Sequence, residues 1–293
     1  GTLVLSYNLN IYVRIPEIWA QTGKDKAAFY AMVGADGTQR MLVELDGNEL
    51  WRLGIRNLDE PLYADKMDLD AEVRAALGPD VSYEIISALP WVCRSVVGDR
   101  YSDGPVILAG DAVHQHAPTG GFGMNTGLGD AVDLGWKLAA AVEGWAGPRL
   151  VESYAVERRP VAVRNVTEAT ANNDQDYEPA LLRDIEAPGE AGKLARAKLA
   201  EEILATRSRI FISDGIALGY CYDGSPVICA DGTPPGAGET MRYTPTSRPG
   251  ARAPHAWLEE GRSTLDLFGR EFVLLAFNGA KDDGLAEAAA KRG

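Results

Sequence analysis

A chain of 293 residues, 46% hydrophobic and 24% charged, is long enough for more than one core and carries the charge of an ordinary soluble globular protein. Its 42 acidic residues outnumber 29 basic ones to give a net charge of −13, and no Lys/Arg-rich block interrupts that balance, which disfavours nucleic acid or an anionic membrane face as a partner. Cys93, Cys221 and Cys229 lie far apart without CxxC spacing, and no apolar run reaches the roughly 18 residues of a membrane span, so a reducing cytoplasm without disulfide framework or zinc site is expected.

Residues 3–56 alternate in the β manner, with strands predicted at 9–13, 29–33, 41–45 and 50–55 and turn signals at Asp36-Gly37 and Asp46-Gly47. This pattern predicts an antiparallel sheet with one face open to a ligand. It begins at Thr2, as expected of an internal piece of a longer protein. Helical spacing over 69–77 follows Asp68 and closes at Gly78-Pro79, and strands are predicted again at 81–89 and 92–97. Asp99, Tyr101 and Asp103 read as a solvated loop.

From Asn125 to Val142, the apolar residues Leu128, Val132, Leu138 and Val142 recur at helical spacing with small residues on the same side, a face suited to close packing on a sheet or cofactor. Further helices are predicted at 150–165 and 191–203. A Pro/Gly-rich arm follows residue 225, then strands at 263–267 and 271–276 and a helix at 284–290.

The densest chemistry lies at 106–125. An apolar run at 106–108 stops at Gly110-Asp111, passes Pro118 and the glycines 120, 121 and 123, and opens into the helical stretch. That is a strand delivering a carboxylate, followed by a loop that presents backbone N–H groups at a helix N-terminus. Asp111 suits hydrogen bonding to the hydroxyls of a sugar or sugar alcohol. The helix N-terminus suits a phosphate or the N1/O2 edge of a reduced flavin. A strand, glycine turn and helix without ligand is the plain alternative, since GxG alone is weak.

Gly110-Asp111-Ala112-Val113-His114, Pro118-Thr119-Gly120-Gly121-Phe122-Gly123-Met124-Asn125-Thr126-Gly127, Asp130-Ala131 and Trp136-Lys137-Leu138 resemble, without a gap, the second FAD motif of the single-component flavin-dependent aromatic hydroxylases. The flanks Leu89-Pro90-Trp91 with Arg94, and Ser153-Tyr154 to Pro160, agree. The segments 249–255 and 263–267 resemble the subgroup with a C-terminal thioredoxin-like domain, which holds phenol hydroxylases, aromatic polyketide hydroxylases and RebC-like indolocarbazole oxygenases. The resemblance implies an α/β fold: the C-terminal part of an FAD/NAD(P)-binding fold with an antiparallel substrate-domain sheet and a partial thioredoxin-like domain. Implied segments are 1–99 substrate domain, 100–215 FAD-domain part and following helices, 216–248 arm, and 249–293 thioredoxin-like part.

The same resemblance implies that Gly110 and Asp111 bind the ribityl chain of FAD, and that Pro118 lies beside the isoalloxazine where a C4a-hydroperoxide forms. The backbone at Gly121, Gly123, Met124 and Asn125 would hold the pyrimidine edge. Trp91 and Arg94 are the expected substrate contacts, whereas Tyr7, Tyr12, Trp19, Tyr30 and Trp51 read more simply as core aromatics. The implied reaction is NAD(P)H- and O2-dependent hydroxylation of an electron-rich aromatic, a phenol or polyketide-like polycycle. Epoxidation, oxidative decarboxylation or halogenation, and a non-catalytic aromatic-binding module, are the alternatives.

The family's GxGxxG fingerprint and the Asp-Gly segment that precedes its middle sheet are not found in this sequence, so an N-terminal FAD-binding half, in cis or as a separate chain, is expected as a partner, with a homodimer as a further possibility. His114 and His116 lack the neighbouring Cys or carboxylate ligands of a usual metal site. Asn278-Gly279-Ala280-Lys281 stands where a redox-active thioredoxin-like domain carries CxxC, so a structural or oligomeric role is expected there.

Overall fold

The computed structural model describes residues 2–35, 37, 39–58, 66–147, 149–173, 177–236, 238–269, 272–277 and 284–291. The chain divides into two compact units, 1–213 with 222–227 and 214–221 with 228–293. Asp36, Glu271 and the Asn278–Lys281 tetrad lie outside the described residues.

Strict alternation builds the first unit. In β1 (Thr2–Arg14), Leu9, Ile11 and Val13 all point to one face and are fully buried. They meet Ile55, Leu53 and Trp51 of β4 (Leu50–Leu58), their register partners. Each such aliphatic side chain contributes about 1.5–3 kcal/mol of burial. With β2 (Phe29–Val33), β3 (Gln39–Glu44), β5 (Glu84–Val97) and β8 (His114–Gln115), these strands form one antiparallel sheet ordered β2-β3-β4-β1-β5-β8. The expected turn at Asp46-Gly47 is present: Gly47 has φ 74°, and Asp46 Oδ1 accepts from the backbone N–H of Asn48 at 3.0 Å and of Leu50 at 2.9 Å.

Helices cover the core face. The short α1 (Ile18–Thr22) contributes Ile18, and α2 (Leu69–Leu77) contributes Val73. Asp68 caps α2 by accepting the Ala71 N–H at 3.0 Å, as its position in the sequence predicts.

Where two strands are predicted around Pro90, β5 is one continuous strand. Among the described residues, β5 pairs at Pro90 with β1 alone, and β8 pairs with Val96 and Val97; an open edge is where a sheet accommodates a residue without N–H. Beyond β5 come the two-residue strands β6 (Ser102–Asp103) and β7 (Val106–Ile107). Tyr101, expected in a solvated loop, is buried against Tyr154 with ring centroids 5.8 Å apart.

Two long helices follow, α3 (Phe122–Glu143) and α4 (Ser153–Asn173), then α5 (Pro179–Leu182) and α6 (Gly189–Phe211). Helix α3 turns a polar face to α4. Its apolar residues Leu128, Val132 and Val142 are 56%, 73% and 88% exposed, while Thr126, Asp130, Asp133 and Lys137 are buried toward α4. Ion pairing with α4 decides this orientation, as the site geometry shows.

The second unit holds α7 (Asp214–Leu218), the hairpin of β9 (Trp257–Glu259) and β10 (Arg262–Ser263), and α8 (Leu285–Ala290). The strand expected at 263–267 is a 3-10 turn over Thr264–Leu267 instead. Ser263 Oγ accepts the Leu265 N–H at 3.0 Å while Asp266 accepts the Ser263 N–H at 2.7 Å, a capping box that overrides the alternation of Leu265 and Leu267. Residues 272–277 carry no strand either. Among the described residues, no helix is long and apolar enough to cross a membrane.

Candidate functional site

The loop at 106–125 is built by glycines and anchored by buried charge. Leaving β7, the chain is held at the Leu108 carbonyl, which accepts the Tyr154 hydroxyl of α4 at 2.9 Å. Gly110, at φ 58°, opens a 3-10 turn (Gly110–Ala112) that leaves Asp111 exposed; β8 then returns to the sheet beside β5. Pro118 is exposed, and its carbonyl accepts the Gly121 N–H at 3.1 Å. A Cβ on Gly120, whose φ is 100°, would stand 2.8 Å from the Phe122 ring, so this turn needs glycine.

Gly121 caps α3 in the left-handed conformation with φ 69°. No side chain caps this N-terminus, and a Cβ on Gly121 would meet nothing within 4 Å. Met124 is 75% exposed beside it, and Asn125 donates back to the Gly121 carbonyl at 2.9 Å. The first turn of α3 therefore offers its orphan N–H groups, with about half a positive charge, to an open side. Gly110 is drawn to the same helix: a Cβ on Gly127 would lie 3.3 Å from the Gly110 Cα. Gly110, Asp111, Pro118, Gly121, Gly123, Met124 and Asn125 thus share one loop and one helix end.

Trp91 and Arg94 are not brought together. Both lie on β5, opposite Asn8 and Val4, but an odd separation along a strand puts them on opposite faces. Trp91 is half-buried, with its indole N–H enclosed and without a hydrogen-bond partner, and Arg94 is exposed.

Two buried ionic clusters lie between α3 and α4, of which the first is tied to the loop, and neither is evident from the residues one by one. In the first, Asp130 Oδ2 accepts from His114 Nε2 at 2.6 Å and from the Gly110 N–H at 3.0 Å, while Oδ1 accepts from Arg158 Nε at 2.9 Å. Arg158 also donates to the Thr126 carbonyl at 3.1 Å, and Asn165 to the Thr126 hydroxyl at 2.9 Å. Burial alone would raise the Asp130 carboxyl, but these donors together hold it below the ordinary range. It is ionised, and His114 donates to it.

In the second cluster, Lys137 donates to Asp133 at 2.7 Å and to Glu157 of α4, and Ser225 donates to the other Glu157 oxygen at 2.5 Å. Burial and the adjacent Glu157 carboxylate push Asp133 up to about 6. Glu157, also buried, is held low by Lys137 and Ser225. The i, i+4 spacing of Asp133 and Lys137 was the one signal in the sequence; it says nothing of burial. His116 packs edge-on against His114 at 5.0 Å, and burial lowers its imidazole to about 4, so it is neutral at pH 7.

Comparison with known proteins adds family evidence to this geometry. A family model described as an FAD binding domain matches residues 22–169. The chain is 37% identical over 201 residues to aklavinone 12-hydroxylase DnrF of Streptomyces peucetius, covering 68% of this chain and 36% of that one. A structure of the rebeccamycin biosynthetic enzyme RebC with reduced flavin superposes with a TM-score of 0.81 at 40% identity, over 99% of this chain and 52% of that one. The flavin-dependent monooxygenase PieE, solved in complex with FAD and substrate, gives a TM-score of 0.73 at 29% identity over 92% of this chain and 52% of its own. The chain therefore spans about half the length of these solved structures, and 36% of the curated hydroxylase.

Proposed function

The chain belongs to the FAD binding domain family, and from that membership we propose that its residues 106–125 hold the ribityl and flavin-ring half of FAD in a monooxygenase that hydroxylates an electron-rich aromatic, a phenol or polyketide-like polycycle. The observation that carries this reading is the uncapped first turn of α3, opened by Gly121 and flanked by the exposed Asp111. A reduced flavin gathers negative charge on its pyrimidine edge, and preorganised amides stabilise that charge without reorganising. Asp111 accepts hydrogen bonds from ribityl hydroxyls. The backbone of Gly121, Gly123, Met124 and Asn125 receives the pyrimidine edge, with Pro118 beside the ring.

When bound, FAD reduced by NAD(P)H supplies the activated oxygen taken from O2. This chain's own residues bind, orient and exclude water. Trp91, on the sheet face shared with Asn8, lines the aromatic substrate site. Arg94 lies on the opposite face of β5 and is not brought to that side.

An N-terminal FAD-binding half, in cis or as a separate polypeptide, completes the cofactor site. Supporting this, Met124, Leu128, Val132 and Val142 leave an apolar stripe of α3 exposed, a length and character of surface that interfaces cover. The segment boundaries expected from the sequence, a thioredoxin-like C-terminal part, a homodimer and a cytoplasmic setting belong to the same proposal.

The test is a flavin spectrum of the protein with its N-terminal half present, followed by NAD(P)H oxidation and product analysis across a panel of phenols and polycyclic aromatics. Asp111→Ala is expected to weaken FAD by about tenfold or more, the loss of charge-assisted hydrogen bonds of roughly 1.4 kcal/mol or above. A colourless protein that takes up no FAD overturns the reading, and one that binds FAD and aromatics but consumes no NAD(P)H is the non-catalytic binding module.

A further inference from the structure

We propose that Asp130 is the positioning residue of the flavin-holding loop, fixing Gly110 and His114 so that Asp111 stands in set register with the N-terminus of α3. The proposal rests on the FAD reading above. Its basis is a single carboxylate oxygen that accepts both the Gly110 N–H at 3.0 Å and His114 Nε2 at 2.6 Å, the residues that bracket Asp111 in the chain.

The other oxygen is taken by Arg158 of α4, which reaches on to the Thr126 carbonyl of α3. His114 in turn belongs to β8, whose ladder with β5 begins at Val97. The loop is thereby tied to both long helices and to the sheet. Gly110 and Gly127 let it lie backbone to backbone on α3, with no side chain between them. Asp130 and His114 have no exposed surface, so neither touches a bound flavin and both act through the loop.

Stability alone is a poor reason for this arrangement. A buried ion pair often stabilises a fold no better than apolar residues of similar volume, because removing the charges from water is costly. What an apolar side chain lacks is direction. A carboxylate accepts along fixed lone-pair directions, so Asp130 orients the amide before Asp111 and the ring after it, the kind of support that holds a binding constellation to within a fraction of an ångström.

The decisive measurement is FAD affinity, together with the visible circular dichroism of bound flavin, in the full-length protein carrying Asp130→Asn, His114→Ala, His114→Gln or Lys137→Met. Loss of loop register predicts that Asp130→Asn and His114→Ala weaken FAD by about tenfold or more and alter the flavin dichroism. His114→Gln restores a donor at the Nε2 position and should bind within about threefold of the unsubstituted protein. Lys137→Met breaks the neighbouring ionic cluster, lowers the melting temperature and leaves FAD affinity unchanged.

Should Asp130→Asn fail to fold, the two His114 variants decide, since they leave the Asp130–Arg158 pair in place. Equal FAD affinity in His114→Ala and the unsubstituted protein overturns the proposal, as does an affinity that merely tracks melting temperature across all variants, Lys137→Met included. An unsubstituted protein that binds no FAD instead overturns the FAD reading itself.

Discussion

At Gly129 of α3, a Cβ would stand 2.5 Å from one terminal nitrogen of Arg158 and 3.1 Å from its Cζ. That guanidinium is held by Asp130, the Thr126 carbonyl and the Tyr222 hydroxyl, so it has nowhere to retreat. Gly129→Ala should therefore lower stability by about 1–3 kcal/mol, although alanine is the better helix former. Gly135, on the same helix, has nothing within 4 Å of a Cβ, and Gly135→Ala should stabilise by about 0.5–1 kcal/mol. Urea unfolding midpoints of the two variants should move in opposite directions. His116 adds a pH signature. Its imidazole is lowered from 6.5 to about 4 in the folded state, so between those values the unfolded chain binds more protons and stability falls as pH falls. Asp130, held below 3.8, acts only at lower pH, where its stabilisation is lost as it protonates. Asp133, raised to about 6, works in the opposite sense, its protonation stabilising the fold as pH falls. His116→Asn removes the His116 loss and keeps that gain, so on going from pH 7 to pH 4.5 its denaturant midpoint should rise relative to that of the unsubstituted protein.

Helix α3 packs on α4 through a polar face. The face turned to α4 carries Thr126, Asp130, Asp133 and Lys137, and the face turned outward carries Met124, Leu128, Val132 and Val142. Two carboxylates and a lysine are tolerated inside only because each finds its partner: Lys137 meets Asp133 and Glu157, and Asp130 meets Arg158 and His114. Removing one member leaves an uncompensated buried charge. Lys137→Met is accordingly expected to cost about 3–5 kcal/mol, read from thermal or urea unfolding. Apolar periodicity located this helix, and amphipathicity alone does not say which of its faces meets α4. At Thr264–Leu267 the local pattern misled instead: period-2 leucines were outweighed by a capping box between Ser263 and Asp266.

For the molecule as a whole, the exposed stripe of α3 makes a prediction that its own fold does not need. Val132 is 73% exposed, so Val132→Asp should leave the secondary structure of this chain unchanged by circular dichroism. Where the proposed N-terminal half lies on this stripe, the same change buries an unpaired charge and is expected to lower flavin occupancy and melting temperature together. Unchanged occupancy would mean that another surface receives that half.

What the sequence determined by itself was governed by short-range rules. The alternation of Leu9, Ile11 and Val13 follows from the two-residue period of a strand, the start of α2 from the Asp68 cap, and the glycine loop before α3 from the φ angles that Gly110, Gly120 and Gly121 alone adopt cheaply. The residues of the motif at 110–125 were likewise expected to come together, since they are contiguous. The tertiary structure alone decided that β5 runs through Pro90, that Trp91 and Arg94 face apart, that Tyr101 is buried, and that Asp130 is a buried anchor. Each depends on partners remote along the chain; Asp130 meets His114 across 16 residues and Arg158 across 28. Whether a charge can be buried is set by the donors that surround it, and no local pattern carries that information.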